Sequence, residues 1–163
     1  MILGPGVKTG LNIMLDNPGE MGADRVADAV AALAQYPVPL VIIDMGTATT
    51  LSVINRNKQY LGGIIMPGVG VSHDSLIART AQLPKIALEP PKHVIGKNTI
   101  DCMRAGIIFS NVDMIDGILD RMEKELGETP TVIATGGLAR FITPLCRHEI
   151  IFDDALLLKG LLI

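Results

Sequence analysis

The chain has 163 residues, 48% of them hydrophobic and 19% charged, with a formal net charge of −3 at pH 7. That length and apolar content allow one domain or two small lobes with a real core, and exclude a disordered tail. With no Trp, two Tyr and three Phe, little is available to stack single-stranded nucleic acid, and the negative balance gives no pull toward DNA, RNA or an anionic membrane.

Residues 1–19 are rich in Gly, Pro and Asn and read as loops around a short extended piece, Leu11 to Leu15. Lys8-Thr9 lies among glycines, but a phosphate-binding P-loop needs Gly directly before Lys and a helix directly after, so that motif is absent here. Glu20 to Gln35 reads as a helix with Val26, Ala29, Val30, Leu33 and Ala34 at helical spacing, stopped by Tyr36-Pro37.

Residues 39–66 read as a three-stranded meander, with strands at 39–44, 49–55 and 59–66 and a tight turn at Asn55-Arg56-Asn57-Lys58. Gly62-Gly63 inside the third strand predicts a bulge or a close backbone approach. Pro67-Gly68-Val69-Gly70 turns into a helix expected over 72–83, and a Pro-containing connection follows to residue 98.

A long helix is expected from Thr99 to about Leu126, capped by Asn98 or Thr99, with Asp101 in its first turn. Its apolar stripe is Met103, Ile107, Ile108, Ile115, Ile118, Leu119 and Met122. Gly106, Ser110 and Gly117 on the same helix suggest close packing, either in the core or against a second subunit. Residues 131–134 form a strand running into Thr135-Gly136-Gly137-Leu138-Ala139. A short helix, a strand near Glu149 to Phe152 and a last apolar helical start complete the chain.

Cys102 and Cys146 lack metal-ligand spacing, and a reduced, cytoplasmic setting is the simplest inference. The opening residues do not read as a basic n-region with an apolar h-region, so no secretory signal is expected, and no run of roughly 18 apolar residues predicts a membrane span. His73, His93 and His148 share no metal spacing and read as surface or loop residues. Asp113, Asp116 and Asp120 read as a solvated helix face.

The most informative stretch is Asp44-Met45-Gly46-Thr47-Ala48-Thr49-Thr50, set between the apolar runs Pro39 to Ile43 and Leu51 to Ile54. A carboxylate at a strand end, then a glycine and small hydroxyl residues, suits phosphate and a cation or water held beside it. The plainer reading is a β-hairpin with a Thr-rich turn. Ala134 to Ala139 is a second glycine turn after a strand, where a flat purine can approach the backbone; it also reads as an ordinary strand-to-helix turn. Asp24-Arg25 at a helix start sets a base beside a carboxylate-binding guanidinium, and next to Arg25 the carboxylate is expected to stay ionised. The alternative is a charge that only stabilises the helix. Thr99 binds a ligand, caps its helix, or both.

In order along the chain stand Gly4-Pro5-Gly6-Val7-Lys8-Thr9-Gly10, Gly22-Ala23-Asp24-Arg25, Asp44 to Thr50, Gly62-Gly63 with Pro67-Gly68, Gly96-Lys97-Asn98-Thr99 and Ala134 to Leu138. This set resembles type III pantothenate kinase over nearly the whole chain. The resemblance implies an α/β, ribonuclease-H-like fold of the actin-like ATPase class, here an incomplete first lobe (1–36) plus a second lobe (37–163). It implies ATP-dependent phosphorylation of pantothenate, the first step of coenzyme A synthesis, by a cytoplasmic homodimer whose long helix lies at the interface. By resemblance Asp24 is the general base, Gly22, Ala23, Arg25 and Thr99 contact pantothenate, and Asp44 binds a monovalent cation, potassium or ammonium. Gly46 and Thr47 contact ATP, with which magnesium is expected, and Gly136 and Gly137 form the adenosine-side turn. No nucleic acid or membrane partner is implied.

Such kinases open with an Asp-x-Gly-Asn-Thr phosphate loop that this chain lacks, so it resembles roughly their C-terminal two thirds. Weak or absent activity is therefore expected of the isolated chain, with an unpaired apolar sheet edge near Met1-Ile2-Leu3. The other function class considered is a non-catalytic accessory or regulatory protein derived from the same family.

Overall fold

The computed structural model describes residues 10–80 and 82–163. The expectations for Met1 to Leu3, and for Gly4 to Thr9 of the glycine-rich opening, lie outside the described residues. The strands are β1 (Asn12–Ile13), β2 (Leu40–Met45), β3 (Ala48–Ile54), β4 (Gln59–Pro67), β5 (Thr131–Thr135) and β6 (Ile150–Phe152). The helices are α1 (Ala23–Gln35), α2 (Val69–Ala78), α3 (Thr99–Leu126), α4 (Ala139–Ile142) and α5 (Leu156–Leu162).

All six strands form one sheet in the order β1-β4-β3-β2-β5-β6. The expected meander is present: β2, β3 and β4 are antiparallel neighbours, while β5 runs parallel to β2 and β6 parallel to β5. β1 pairs parallel with the start of β4. Alternation of side chains then splits the core in two. Val41, Ile43, Met45, Leu51 and Val53 pack under α2, α3 and α4. Leu40, Ile42, Ile54 and Tyr60 pack under α1 and α5. Parallel strands buried on both faces explain why β2 reads as an unbroken apolar run up to Asp44.

The expected irregularity in β4 takes both forms. Gly62 has φ +129°, the register with β3 shifts between Val53 and Ile54, and a Cβ at Gly63 would run into the Leu51 backbone. The long helix keeps its expected limits, and Asn98 rather than Thr99 caps it. The Asn98 side chain accepts from the Asp101 amide at 2.9 Å and donates to the Asp101 carboxylate at 2.7 Å. Gly127, at φ +72°, closes the other end.

Three sequence readings need correction. The helix expected over 72–83 starts at Val69 and ends at Ala78, because Gly68 begins it while lying against the carbonyls of Gly46 and Thr47. In α1 the buried residues are Ala27, Asp28, Ala29, Ala31 and Ala32; of the expected stripe Ala29 is among them, Val26 and Leu33 pack partly buried against the same core, Val30 is half-buried and Ala34 is exposed. Gly160 of α5 comes so close to Ala27 that only small residues fit between the helices, and this rolls the alanine face inward. Asp116 and His73 are not solvated: Asp116 is 1% and His73 5% exposed, whereas His148 stands in the turn before β6, half-buried. Asp116 accepts the amides of Arg147 and His148 and pairs with His148 Nδ1 at 2.7 Å, so one carboxylate ties the turn before β6 onto α3.

Candidate functional site

β2 and β5 are parallel and adjacent, so their following turns emerge side by side at one end of the sheet. Asp44 stands opposite Thr135 in register. The turn after β2 is only Gly46-Thr47, a two-residue hairpin closed by Gly46 N–H donating to Ala48 at 3.1 Å. The hairpin reading thus holds, and Gly46 and Thr47 at its tip are exposed, as an anion-binding turn would need. Gly136, at φ +97°, lies against the Met45 backbone, where a Cβ would come 2.6 Å from the carbonyl oxygen. Gly137 is exposed, with open space where a Cβ would stand. The two glycine turns far apart in sequence are one surface.

The third component is the start of α1. Gly22 precedes the helix, and a Cβ there would lie 2.5 Å from Asp24 Oδ1, so glycine leaves room for that carboxylate to fold back. Asp24 accepts the Arg25 amide at 2.9 Å, which is the helix-stabilising role its position suggested. The Asp24 carboxylate is close enough to the strand end to raise the pKa of Asp44. Burial is the larger cause of that rise and the Asp24 charge the second. Neither Asp24 nor Asp44 is held in an ion pair among the described residues.

The Arg25 guanidinium does not face Asp24. It turns toward the sheet, donating from Nη2 to Tyr60 Oη at 2.5 Å and from Nε to Ser52 Oγ at 3.5 Å. Thr99 stands elsewhere, exposed on a groove of about 760 Å³ between α2 and α3 that also carries Ser72, Gly106 and Ser110. None of the other candidate site residues lines that groove.

Sequence reasoning missed Asp28. It lies one helical turn after Asp24, 3% exposed, with Oδ1 lacking any hydrogen-bond partner. Burial, then Asp44, then Asp24 push its pKa up to about 7. The available signal was a charged residue at i+4 from Asp24 within an alanine run. Among the described residues no group of three or more His, Cys, Asp or Glu is arranged to hold a metal ion.

The family model described as type III pantothenate kinase matches residues 1–121. The chain belongs to the type III pantothenate kinase family. It is 48% identical over 161 residues to the type III pantothenate kinase of Bacillus cytotoxicus, covering 99% of this chain and 62% of that protein. It is 49% identical over 161 residues to the Halalkalibacterium halodurans enzyme of the same description, of which 63% is covered. The chain therefore spans 62–63% of the length of these curated relatives.

Solved structures agree on the fold. A Campylobacter jejuni protein described as a Baf family transcriptional activator matches with TM-score 0.59 at 22% identity, covering 93% of this chain and 65% of that one. The Alp12 filament structure matches with TM-score 0.59 at 11% identity, covering 85% and 50%. At these identities the likeness concerns the fold alone, and that fold is the actin-like ATPase one. No helix among the described residues is long and apolar enough to cross a membrane.

Proposed function

We propose that this type III pantothenate kinase chain is the larger part of an enzyme that transfers the terminal phosphoryl group of ATP to the hydroxyl of pantothenate, giving 4'-phosphopantothenate, the first step of coenzyme A synthesis. The observation that carries this reading is the approach of Asp24 to Asp44, which sets a candidate base beside a glycine- and threonine-bearing turn. Phosphoryl transfer needs positioning and charge neutralisation more than covalent chemistry. Asp24 is the group to take the alcohol proton, Gly22 and Ala23 give the substrate room, and Arg25 takes its carboxylate. Gly46 and Thr47 face the phosphates, and Gly136 and Gly137 face the adenosine.

A monovalent cation, potassium or ammonium, fits at Asp44. The residue is half-buried, lies near the Asp24 and Asp28 carboxylates, and among the described residues has no cationic side chain paired with it. Such a cation would offset the phosphate charge. Magnesium would arrive with ATP rather than in a protein cage. The reading assigns residues 1–36 to the end of a first lobe and 37–163 to a second ribonuclease-H-like lobe. It makes the protein a cytoplasmic homodimer, with α3 and the groove that holds Thr99 at the interface. A Cβ at Gly106 or Gly117 would meet nothing within 4 Å among the described residues, which leaves room on that helix face for a partner copy.

The 163 residues contain no Asp-x-Gly-Asn-Thr segment, so weak turnover is expected of them alone. The test pairs a coupled ATP assay, on a form joined to the Asp-x-Gly-Asn-Thr segment of a relative and on its Asp24→Asn variant, with calorimetric pantothenate binding to both forms and to the parent chain. Binding retained with turnover lost supports the reading. Turnover unchanged in the variant removes Asp24 from the mechanism. A parent chain that binds neither pantothenate nor ATP favours the non-catalytic accessory role.

A further inference from the structure

Tyr60 is fully buried and Ser52 is 3% exposed. Both hydroxyls sit on the α1 side of the sheet, beside Leu40, Ile42, Ile54 and the alanines of α1, with Asp44 and Thr50 further along the same face. Buried hydroxyls cost free energy unless they are hydrogen-bonded. Here they bond to each other, with Ser52 Oγ and Tyr60 Oη 2.8 Å apart, and to one guanidinium. Arg25 Nη2 donates to Tyr60, Nε donates to Ser52, and Cζ lies 5.6 Å from the Tyr60 ring centroid.

A guanidinium has five N–H donors in a fixed planar fork. Two are taken here, both on the Nε/Nη2 side. Both Nη1 donors and one on Nη2 remain, and together these make the edge that grips a carboxylate with two parallel bonds. Among the described residues no acidic side chain pairs with that guanidinium; Asp24, its neighbour, takes the backbone amide instead. A helix anchored to an apolar sheet face needs only an apolar side chain at position 25, and the two hydroxyls would then be a liability. Together they fix the plane of a charge that no side chain among the described residues neutralises.

We propose that Ser52 and Tyr60 are positioning residues that hold the Arg25 guanidinium edge-on to the substrate carboxylate, making Tyr60 a determinant of selectivity for the acid over neutral analogues. This rests on the pantothenate reading of the site. Tyr60→Phe keeps the buried ring and removes only the hydroxyl. Calorimetric titration of the chain with pantothenate and with its neutral primary amide reads the effect. Loss of a charge-assisted bond weakens pantothenate binding about tenfold, while amide binding changes less than about twofold.

Ser52→Ala, which cannot disturb the ring packing, is expected to shift selectivity the same way by a smaller factor. A merely structural role would weaken both ligands equally. Equal weakening, or unchanged pantothenate affinity in both variants, overturns the inference while leaving the pantothenate site standing. A parent chain that binds neither ligand overturns the site reading and the inference together.

Discussion

Gly136 and Met45, 91 positions apart, touch backbone to backbone: a Cβ on Gly136 would stand 2.6 Å from the Met45 carbonyl oxygen and 2.9 Å from its amide nitrogen. The contact holds the turn after β5 against the end of β2, and so joins two loops that β2–β5 pairing only brings near each other.

Gly136→Ala is accordingly expected to be costly twice over, through the positive φ and through the clash with backbone that cannot move aside. The sum is about 3 kcal/mol. Urea unfolding measures it. Nucleotide affinity should fall in the same variant, whereas Gly137→Ala, with open space at the Cβ, should keep the parent stability.

Asp28 makes stability depend on pH in a defined direction. Its pKa is about 7 in the folded chain against 3.8 for the free side chain, so the folded state holds the proton more tightly. That contribution is complete below pH 4 and is lost as pH rises toward and through 7. The carboxylates that face it are Asp44 and Asp24. Asp28→Asn should flatten the profile and raise Tm at pH 8 by about 5 °C. A thermal-melt series from pH 4 to 8 decides; a variant profile as steep as the parent's removes Asp28 as the cause.

Asp116 works in the opposite sense. Burial alone would raise its pKa, but the Arg147 amide, the His148 side chain and the His148 amide outweigh that and hold it below the usual carboxylate range. Its contribution is present above pH 4 and is lost as pH falls through the lowered folded value. Asp116→Ala should cost about 3 kcal/mol at pH 7 by leaving the Arg147 and His148 amides and His148 Nδ1 unpaired, while His148 Nε2 keeps Asp120 at 3.3 Å. The difference from the parent should narrow as the pH drops toward 2.

Gly106 tests the dimer. It is exposed on the α3 groove, and among the described residues nothing lies within 4 Å of a Cβ built there. Gly106→Leu should leave unfolding of the single chain unharmed, since leucine favours helix by about 1 kcal/mol over glycine. An interface through this face would weaken about tenfold from overpacking. Sedimentation analysis reads the outcome, and self-association equal to the parent's takes α3 out of the interface.

Much of the fold was legible in the sequence because its signals are local. The apolar run before Asp44, Gly62-Gly63, and Asn98 with Asp101 each fix a strand end, a bulge or a cap through residues within a few positions. The glycine turns at Gly46 and Gly136 were visible for the same reason. Less legible was the face α1 presents, since a 13-residue helix with six alanines has several admissible faces. Gly160, far along the chain, selects among them.

By itself the sequence determined the order of elements, the turns, and the motif series that marks the family. Only the tertiary structure decided what those motifs face: Asp24 toward Asp44, Arg25 toward Ser52 and Tyr60, Asp28 buried beside both carboxylates, Thr99 in a separate groove. The reason is physical. Periodicity and turn chemistry act over a few residues, whereas the charge around a side chain is set by neighbours that strand order and helix roll bring in from distant parts of the chain.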